Sequence, residues 1–517
     1  MAAAGNESLR NTVSIFPMGG NIYFAVYLHE IDSTQPTTKN LEDAVFAIKF
    51  FKNLGCKIFS GEDSPIDDVE ASQSNEDVSS DDSPDEFEED SRKGDDSSSN
   101  YKNFVIFNQS LQYTVSDLEL FAKGDYGASC FIFYFIVPQV GSKFLTFDES
   151  DLNVFQLWKI IRKPSIPVIF LIQGNFTGNA SNPSVLLNTG TEEDKGPTIA
   201  ESANVLLAII PNPGNLDVPV IKILTDELSK NLDIQTCLTN FNRVLTGKGC
   251  KPTPRFGSTL NHHLYLPNGK TVGLQEKYGR KYVAYAFLFG KFAQKPGQKI
   301  SDLTEVMKKD KESLNVFKDR GVELEFCVRD GKMTTEEFKK KLDKIMQSDD
   351  LDSCDGIFII VSSHGSKNLL TRTYDGVFST EYIQHKLATC TKLKDKPKVI
   401  IRDACRGSHK EGRVPYGAYV PRGGERKDWP VPQGTSMNMN DIIIALGSVE
   451  GTVASYDDVG STFIYHLCEM IREHDELDFQ TILTLTMNEV SSKGHKQQVT
   501  FTSGLQKLLH LPKVKSQ

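Results

Sequence analysis

Apolar and polar positions follow one plan twice along the chain. In the first stretch the run Tyr23-Phe24-Ala25-Val26-Tyr27 precedes a segment with Leu41, Val45 and Ile48 at helical spacing; in the second, Tyr282-Val283-Ala284-Tyr285-Ala286 precedes Leu314 and Phe317. Each predicted helix meets a turn and a strand, NLGCKIF and then DRGVELEF. The runs FIFYFIVPQVGSK and IFIIVSSHGSK are too short and too apolar for surface helices and predict buried parallel strands, with the shared GSK setting the register. KPSIPVIFLIQGNFTG and KPKVIIRDACRG repeat the pattern, as do NVLLAII and DIIIAL, and helices ending DIQTCLTNFNRVL and DFQTILTLTMNEV close the two copies. Strands alternating with helices predict a mostly parallel sheet covered on both faces, an α/β three-layer sandwich present twice in tandem.

Two breaks interrupt this plan. Residues 60–100 are dominated by Asp, Glu and Ser and predict an acidic disordered insertion within a first domain spanning 1–250. Residues 251–277 combine Gly, Pro and basic residues and read as a linker. The 517 residues exceed what one core supports, in keeping with two domains. A net charge of -10 with 39% hydrophobic residues gives no reason to expect nucleic acid as a partner and points to proteins instead. The start MAAAGNESLR carries no secretory signal pattern and no apolar run approaches the length of a membrane span, so the chain reads as cytoplasmic. Nine cysteines without metal-ligand spacing fit reduced thiols, and neither His262-His263 nor NGKTVG makes a metal or phosphate site, so no cofactor is expected.

In such a sheet reactive groups belong at the carboxyl ends of strands. His364 follows the strand IFIIV, and Cys405 follows VII. A thiol is mostly protonated at neutral pH, so a nucleophilic cysteine needs a neighbouring imidazole, which His364 supplies. The backbone N–H groups of Gly365 and Cys405 are the natural donors to an oxyanion.

SSHG at 362–365 and DACRG at 403–407 resemble the histidine and cysteine motifs of the caspase family, and the likeness extends over residues 278–512. The resemblance implies a large-subunit-like region at 278–407, an intersubunit linker at 408–436 and a small-subunit-like region at 437–517. It implies a thiol endopeptidase made as a zymogen, acting on protein substrates in apoptotic or immune signalling, as a homodimer or a heterodimer with caspase-like proteins. The first copy resembles the family too, with Gln173 where its cysteine motif begins. There the histidine position falls on Val140 and the cysteine position on Asn175, so 1–250 reads as a pseudo-protease domain. The alternative is a catalytically weak or inactive homologue that regulates other caspases by dimerisation.

The family holds a substrate aspartate with two arginines and a glutamine, and none of the three is recognisable here. Asp403 stands for the glutamine, Asp457 for the later arginine, and the earlier arginine falls near Thr304 or Glu305. A carboxylate in place of a cation reverses the local field, by about 4 kcal/mol at 4 Å and an effective dielectric of 20. Asp403, Asp457, Glu450 and Asp458 are therefore expected to form a pocket for arginine or lysine, as in the metacaspases and paracaspases that Asp403 resembles. Within the linker, Arg422, Arg426, Lys427 and Asp428 are the candidate cleavage points.

Overall fold

The computed structural model describes residues 21–30, 37–59, 105–107, 118, 128–137, 139–140, 143–144, 166–174, 204–211, 216, 219–230, 232–250, 254–266, 275–294, 300–366, 369–405, 440–448, 454–492 and 497–513. The expected insertion at 60–100, the linker at 408–436 with its four cleavage points, Asn175 and Glu450 lie outside them.

The first arm of the fold consists of β1 (Asn21–Leu28), α1 (Thr38–Asn53), β2 (Lys57–Ile58), β3 (Val105–Phe107), β4 (Ala128–Val137), the small hairpin β5 (Gln139–Val140) and β6 (Lys143–Phe144), β7 (Val168–Gly174), β8 (Val205–Pro211), α2 (Val220–Leu228), α3 (Ile234–Gly247) and β9 (Arg255–Ser258). The second runs through β10 (Tyr282–Leu288), α4 (Thr304–Ser313), α5 (Asn315–Asp319), β11 (Glu323–Phe326), α6 (Thr335–Gln347), α7 (Asp350–Ser353) and β12 (Gly356–Ser362). There follow β13 (Gly365–Ser366), β14 (Leu370–Arg372), β15 (Val377–Ser379), α8 (Thr380–Thr389), β16 (Lys398–Asp403) and β17 (Ile442–Leu446). The arm closes with β18 (Tyr456–Asp457), β19 (Gly460–Ser461), α9 (Thr462–Glu473), α10 (Phe479–Ser492) and β20 (Thr500–Ser503).

One 13-stranded sheet joins both arms in the order β11-β10-β12-β16-β17-β20-β9-β8-β7-β4-β1-β2, with β3 also on β1. Pairing is parallel out to both edges and antiparallel only at β17–β20, β20–β9 and β9–β8. The expectation that 251–277 is a linker is corrected here: Arg255–Ser258 is a buried central strand, and Leu260, Leu264 and Leu266 are core residues. Its Gly and Pro content disguised it, because a four-residue strand gains its stability from neighbours on both sides and not from its own propensity.

The continuous apolar runs follow from burial of both sheet faces. In β4, Ile132, Tyr134 and Ile136 face a core shared by both arms, while Phe131, Phe133 and Phe135 face a separate cluster behind it. In β12, Phe358 and Ile360 face the shared core, and Ile357, Ile359 and Val361 face a third cluster under α6 and α8. Helix α6 starts at a capping box in which Thr334 and Glu337 satisfy each other's backbone N–H, and it buries Phe338, Leu342 and Ile345.

Buried Arg320 closes the far end of the second arm. Its guanidinium donates to the carbonyls of Ile471 (2.6 Å), Asp475 (2.9 Å) and Pro512 (2.7 Å), which ties the end of α9 and the C-terminal segment to the turn after α5. Arg320→Met removes those donors, leaves the buried Ile471 carbonyl without its partner and frees the C-terminal segment, so it is expected to cost about 2 to 4 kcal/mol. Urea unfolding checks this, with a lower midpoint at an unchanged slope as the expected result.

Candidate active site

Strands β12 and β16 pair in parallel with Ser362 opposite Asp403. The chain leaves both strands at the same edge, so His364 and Cys405 each stand two residues beyond a paired end. Ser363 N–H extends the pairing to the carbonyl of Asp403 at 3.2 Å. Gly365 then comes so close that a Cβ there would lie 2.4 Å from the Cys405 carbonyl oxygen and 2.8 Å from the Ala404 Cβ. Only glycine permits that approach, and it sets the backbone after His364 against the backbone of the nucleophile candidate.

The surrounding side chains hold this arrangement. Fully buried Arg402 donates from Nε to Thr371 Oγ1 (2.9 Å), from Nη2 to the Leu370 carbonyl (2.8 Å) and from Nη1 to the Ala404 carbonyl (3.2 Å). Ser448 Oγ also donates to the Ala404 carbonyl, at 3.1 Å. The Cys405 thiol is half-buried, its Sγ 3.7 Å from the Ala454 carbonyl oxygen. His364 Nε2 lies 2.8 Å from the Ser301 carbonyl oxygen, with the ring 4.8 Å from that of Phe292. A carbonyl only accepts, so Nε2 carries the proton and Nδ1 of the neutral ring is the nitrogen able to receive one.

Of the residues expected to form the acidic pocket, Asp403, Asp457 and Asp458 are described. Asp403 is buried, and the acid that faces it is Asp310 of α4. Asp310 accepts from Ser461 N–H (2.8 Å), Ser461 Oγ (2.6 Å) and Ser362 Oγ (2.8 Å), while Asp403 Oδ1 has no hydrogen-bond partner among the described residues. Burial first, and Asp310 second, push the Asp403 carboxyl up to about 7. Asp457 and Asp458 lie exposed at the β18–β19 turn, where Asp457 Oδ1 accepts Val459 N–H at 3.0 Å. Asp403 is thus buried beside Asp310, and Asp457 and Asp458 stand on the hairpin that carries Ser461. Asp310 was missed in the sequence, although Leu303, Met307, Asp310, Leu314 and Phe317 follow the three-and-four spacing of a buried stripe.

The caspase-domain family model matches residues 302–510, within the second arm. Caspase-6 of Mus musculus is 28% identical over 219 residues, 38% of this chain and 76% of that protein. Human caspase-14 is 29% identical over 190 residues, 34% of this chain and 76% of that protein. Caspase-8 of Mus musculus is 30% identical over 185 residues, 32% of this chain and 37% of that protein. Among solved structures, caspase-1 from Spodoptera frugiperda aligns at 22% identity with a TM-score of 0.36, covering 48% of this chain and 97% of that one. No helix among the described residues is long and apolar enough to cross a membrane.

The acid pair sets a pH dependence whose sign follows from linkage. A carboxyl raised above its unfolded value destabilises the fold only once the unfolded form ionises, so the cost is absent below about pH 4 and complete above about pH 7. Stability therefore falls as pH rises through that window. Asp403→Asn is expected to flatten the fall and to gain on the order of 3 kcal/mol at pH 8. Urea midpoints at pH 5 and pH 8 test it, and identical slopes in variant and parent would count against the pair.

Proposed function

We propose that residues 278–512 form a cysteine endopeptidase in which Cys405 is the nucleophile and His364 the base. The observation that carries this reading is the contact of Gly365 with the Cys405 backbone, together with an imidazole whose Nε2–H is committed to Ser301. The Cys405 thiolate attacks the scissile carbonyl carbon, and the carbonyl oxygen takes up charge beside the N–H groups of Gly365 and Cys405. Protonated Nδ1 of His364 delivers its proton to the leaving amine, leaving an acyl thioester. A water then gives a proton to Nδ1 as it attacks the thioester, and the thiol is regained as the acid product leaves.

The preferred residue before the cut is arginine or lysine. Support comes from comparing the two arms. Ile136 pairs with Gln173 in the first arm as Ser362 pairs with Asp403 in the second, so Gln173 and Asp403 occupy corresponding strand ends. Buried Gln173 is fully engaged: Nε2 donates to Asp43 Oδ2 at 2.8 Å and Oε1 accepts from Tyr134 Oη. Asp403 faces a second acid and has one oxygen without a partner among the described residues; Ser461 and the Arg402 charge offset only part of the cost of ionising it, so an entering cation stabilises it further. Asp457 and Asp458 attract the same cation at the surface.

The first arm is read as a pseudo-protease copy. Two residues beyond Ile136 stands Pro138, and two beyond Gln173 stands Asn175; neither these nor Val140 carries a nucleophile or base. Cutting within 408–436, at Arg422, Arg426, Lys427 or Asp428, would mature the zymogen.

Peptides ending in Arg, Lys, Asp or Glu before a fluorogenic group separate the readings. Thiol-dependent cleavage after Arg or Lys is expected, falling by at least about 10³-fold in Cys405→Ala and in His364→Ala. Cleavage after Asp alone rejects the basic preference, and no cleavage by the linker-nicked protein favours a regulator without activity.

A further inference from the structure

We infer that the first arm is a built-in partner: it occupies the place that a second copy of the second arm would take, and through that seam it positions the backbone beside Cys405. The inference rests on reading the two arms as copies, and the seam supplies its own observations.

Strands β9 and β20 pair antiparallel with Phe501 opposite Ser258, Thr502 opposite Gly257 and Ser503 opposite Phe256. This register is symmetric about the pair Gly257 and Thr502, as when one strand meets a copy of itself. Helices α3 and α10 repeat the relation. Gln235 Nε2 donates to Thr484 Oγ1 at 3.2 Å, and Gln480 Nε2 donates to Thr239 Oγ1 at 3.0 Å. Gln235 also bonds Ser258 within its arm (3.2 Å), as Gln480 bonds Ser503 (2.5 Å). Asp233 and Asp478 each accept the N–H two residues on at 3.0 Å, and Ile234 and Phe479 donate to the carbonyls of Leu264 and Leu509. Every counterpart lies 245 positions further along: 233 and 478, 235 and 480, 239 and 484, 258 and 503, 264 and 509. Such matched exchange across a twofold axis is the mark of an isologous interface, here formed inside one chain. With β9 in place, the edge of β20 is already paired, and no second chain can add to it.

The seam reaches the thiol through one side chain. Thr500, at the start of β20, donates from Oγ1 to the Ser258 carbonyl across the seam at 3.0 Å. Three residues earlier stands Gln497, fully buried. Its Oε1 accepts from Ser455 N–H (2.8 Å) and Ser455 Oγ (2.7 Å), and its Nε2 donates to the Gly447 carbonyl (2.5 Å). Ser455 follows Ala454, whose carbonyl meets the Cys405 thiol. Gln497 is therefore a positioning residue, and β9 holds the strand that places it.

The full chain is tested without substrate. Sedimentation equilibrium from micromolar to about 100 µM is expected to return the single-chain mass of 57.6 kDa. Alkylation by iodoacetamide, resolved by cysteine, is expected to slow about tenfold at Cys405 in Gln235→Ala and in Gln497→Glu. Cys327 and Cys390 are partly exposed outside the seam, and their unchanged rates report that each variant remains folded. A dimer mass, or Cys405 alkylation at the parent rate in both folded variants, overturns the inference. Intact seam readouts in a protein that cuts no peptide would leave the seam standing and remove the protease reading. Peptide cleavage by a dimer would do the reverse.

Discussion

Strands β12 and β16 pair in parallel with Ser362 opposite Asp403, and the site inherits its geometry from that register. A slip of one residue would exchange the faces of the strand, sending Arg402 into the layer that holds Asp310 and Asp403 into the layer under β14. Register is fixed because both faces are buried: Ile400 packs into one core and Val399 and Ile401 into the other. Gly365 adds a steric requirement, since any side chain there meets Cys405 before the two turns can close. Position at the site is thus set by apolar packing well away from the chemistry.

The layer beneath the site is polar for a reason that packing alone does not supply. Ser362, Ser461, Asp310 and Asp403 meet where strand ends, α4 and the β18–β19 hairpin converge, and Gly447 approaches so closely that a Cβ would strike Asp403 Oδ1. Two buried carboxyls facing each other cannot both ionise freely, and they titrate as a coupled pair. In the other arm the corresponding contact is between an amide and an acid, Gln173 with Asp43, which has no such conflict. The two contacts differ in charge: a carboxyl pair in one arm, an amide with a carboxyl in the other.

Much of this was readable in the sequence. Both arms announce their parallel strands as apolar runs, and the positions of His364 and Cys405 at strand ends follow from those runs alone. What stayed hidden depends on contacts between distant segments. Arg255–Ser258 has too few residues for a periodic signal and becomes a strand because β8 and β20 flank it. Asp403 and Asp310 are 93 positions apart, so no local pattern couples them. Gln497 precedes its strand in a stretch, KQQVTF, whose polarity suggests a surface, while its amide is fully buried and satisfied.

The meeting of β9 and β20 also bears on why the arms share one chain. An arm ending at β20 would expose an unpaired strand edge whose residues, Phe501 among them, are fully buried here. Phe256 and Phe501 meet edge to face with centroids 6.1 Å apart, and Asn242 donates to the Gly504 and Leu505 carbonyls at 2.8 and 3.0 Å. These groups lose partners on both sides if the arms part. A covalent connection keeps the partner at high effective concentration, so the seam forms without dependence on protein concentration. On the proposed reading of the first arm as a pseudo-protease copy, its outer surface is free to diverge provided that α3 and β9 keep the seam.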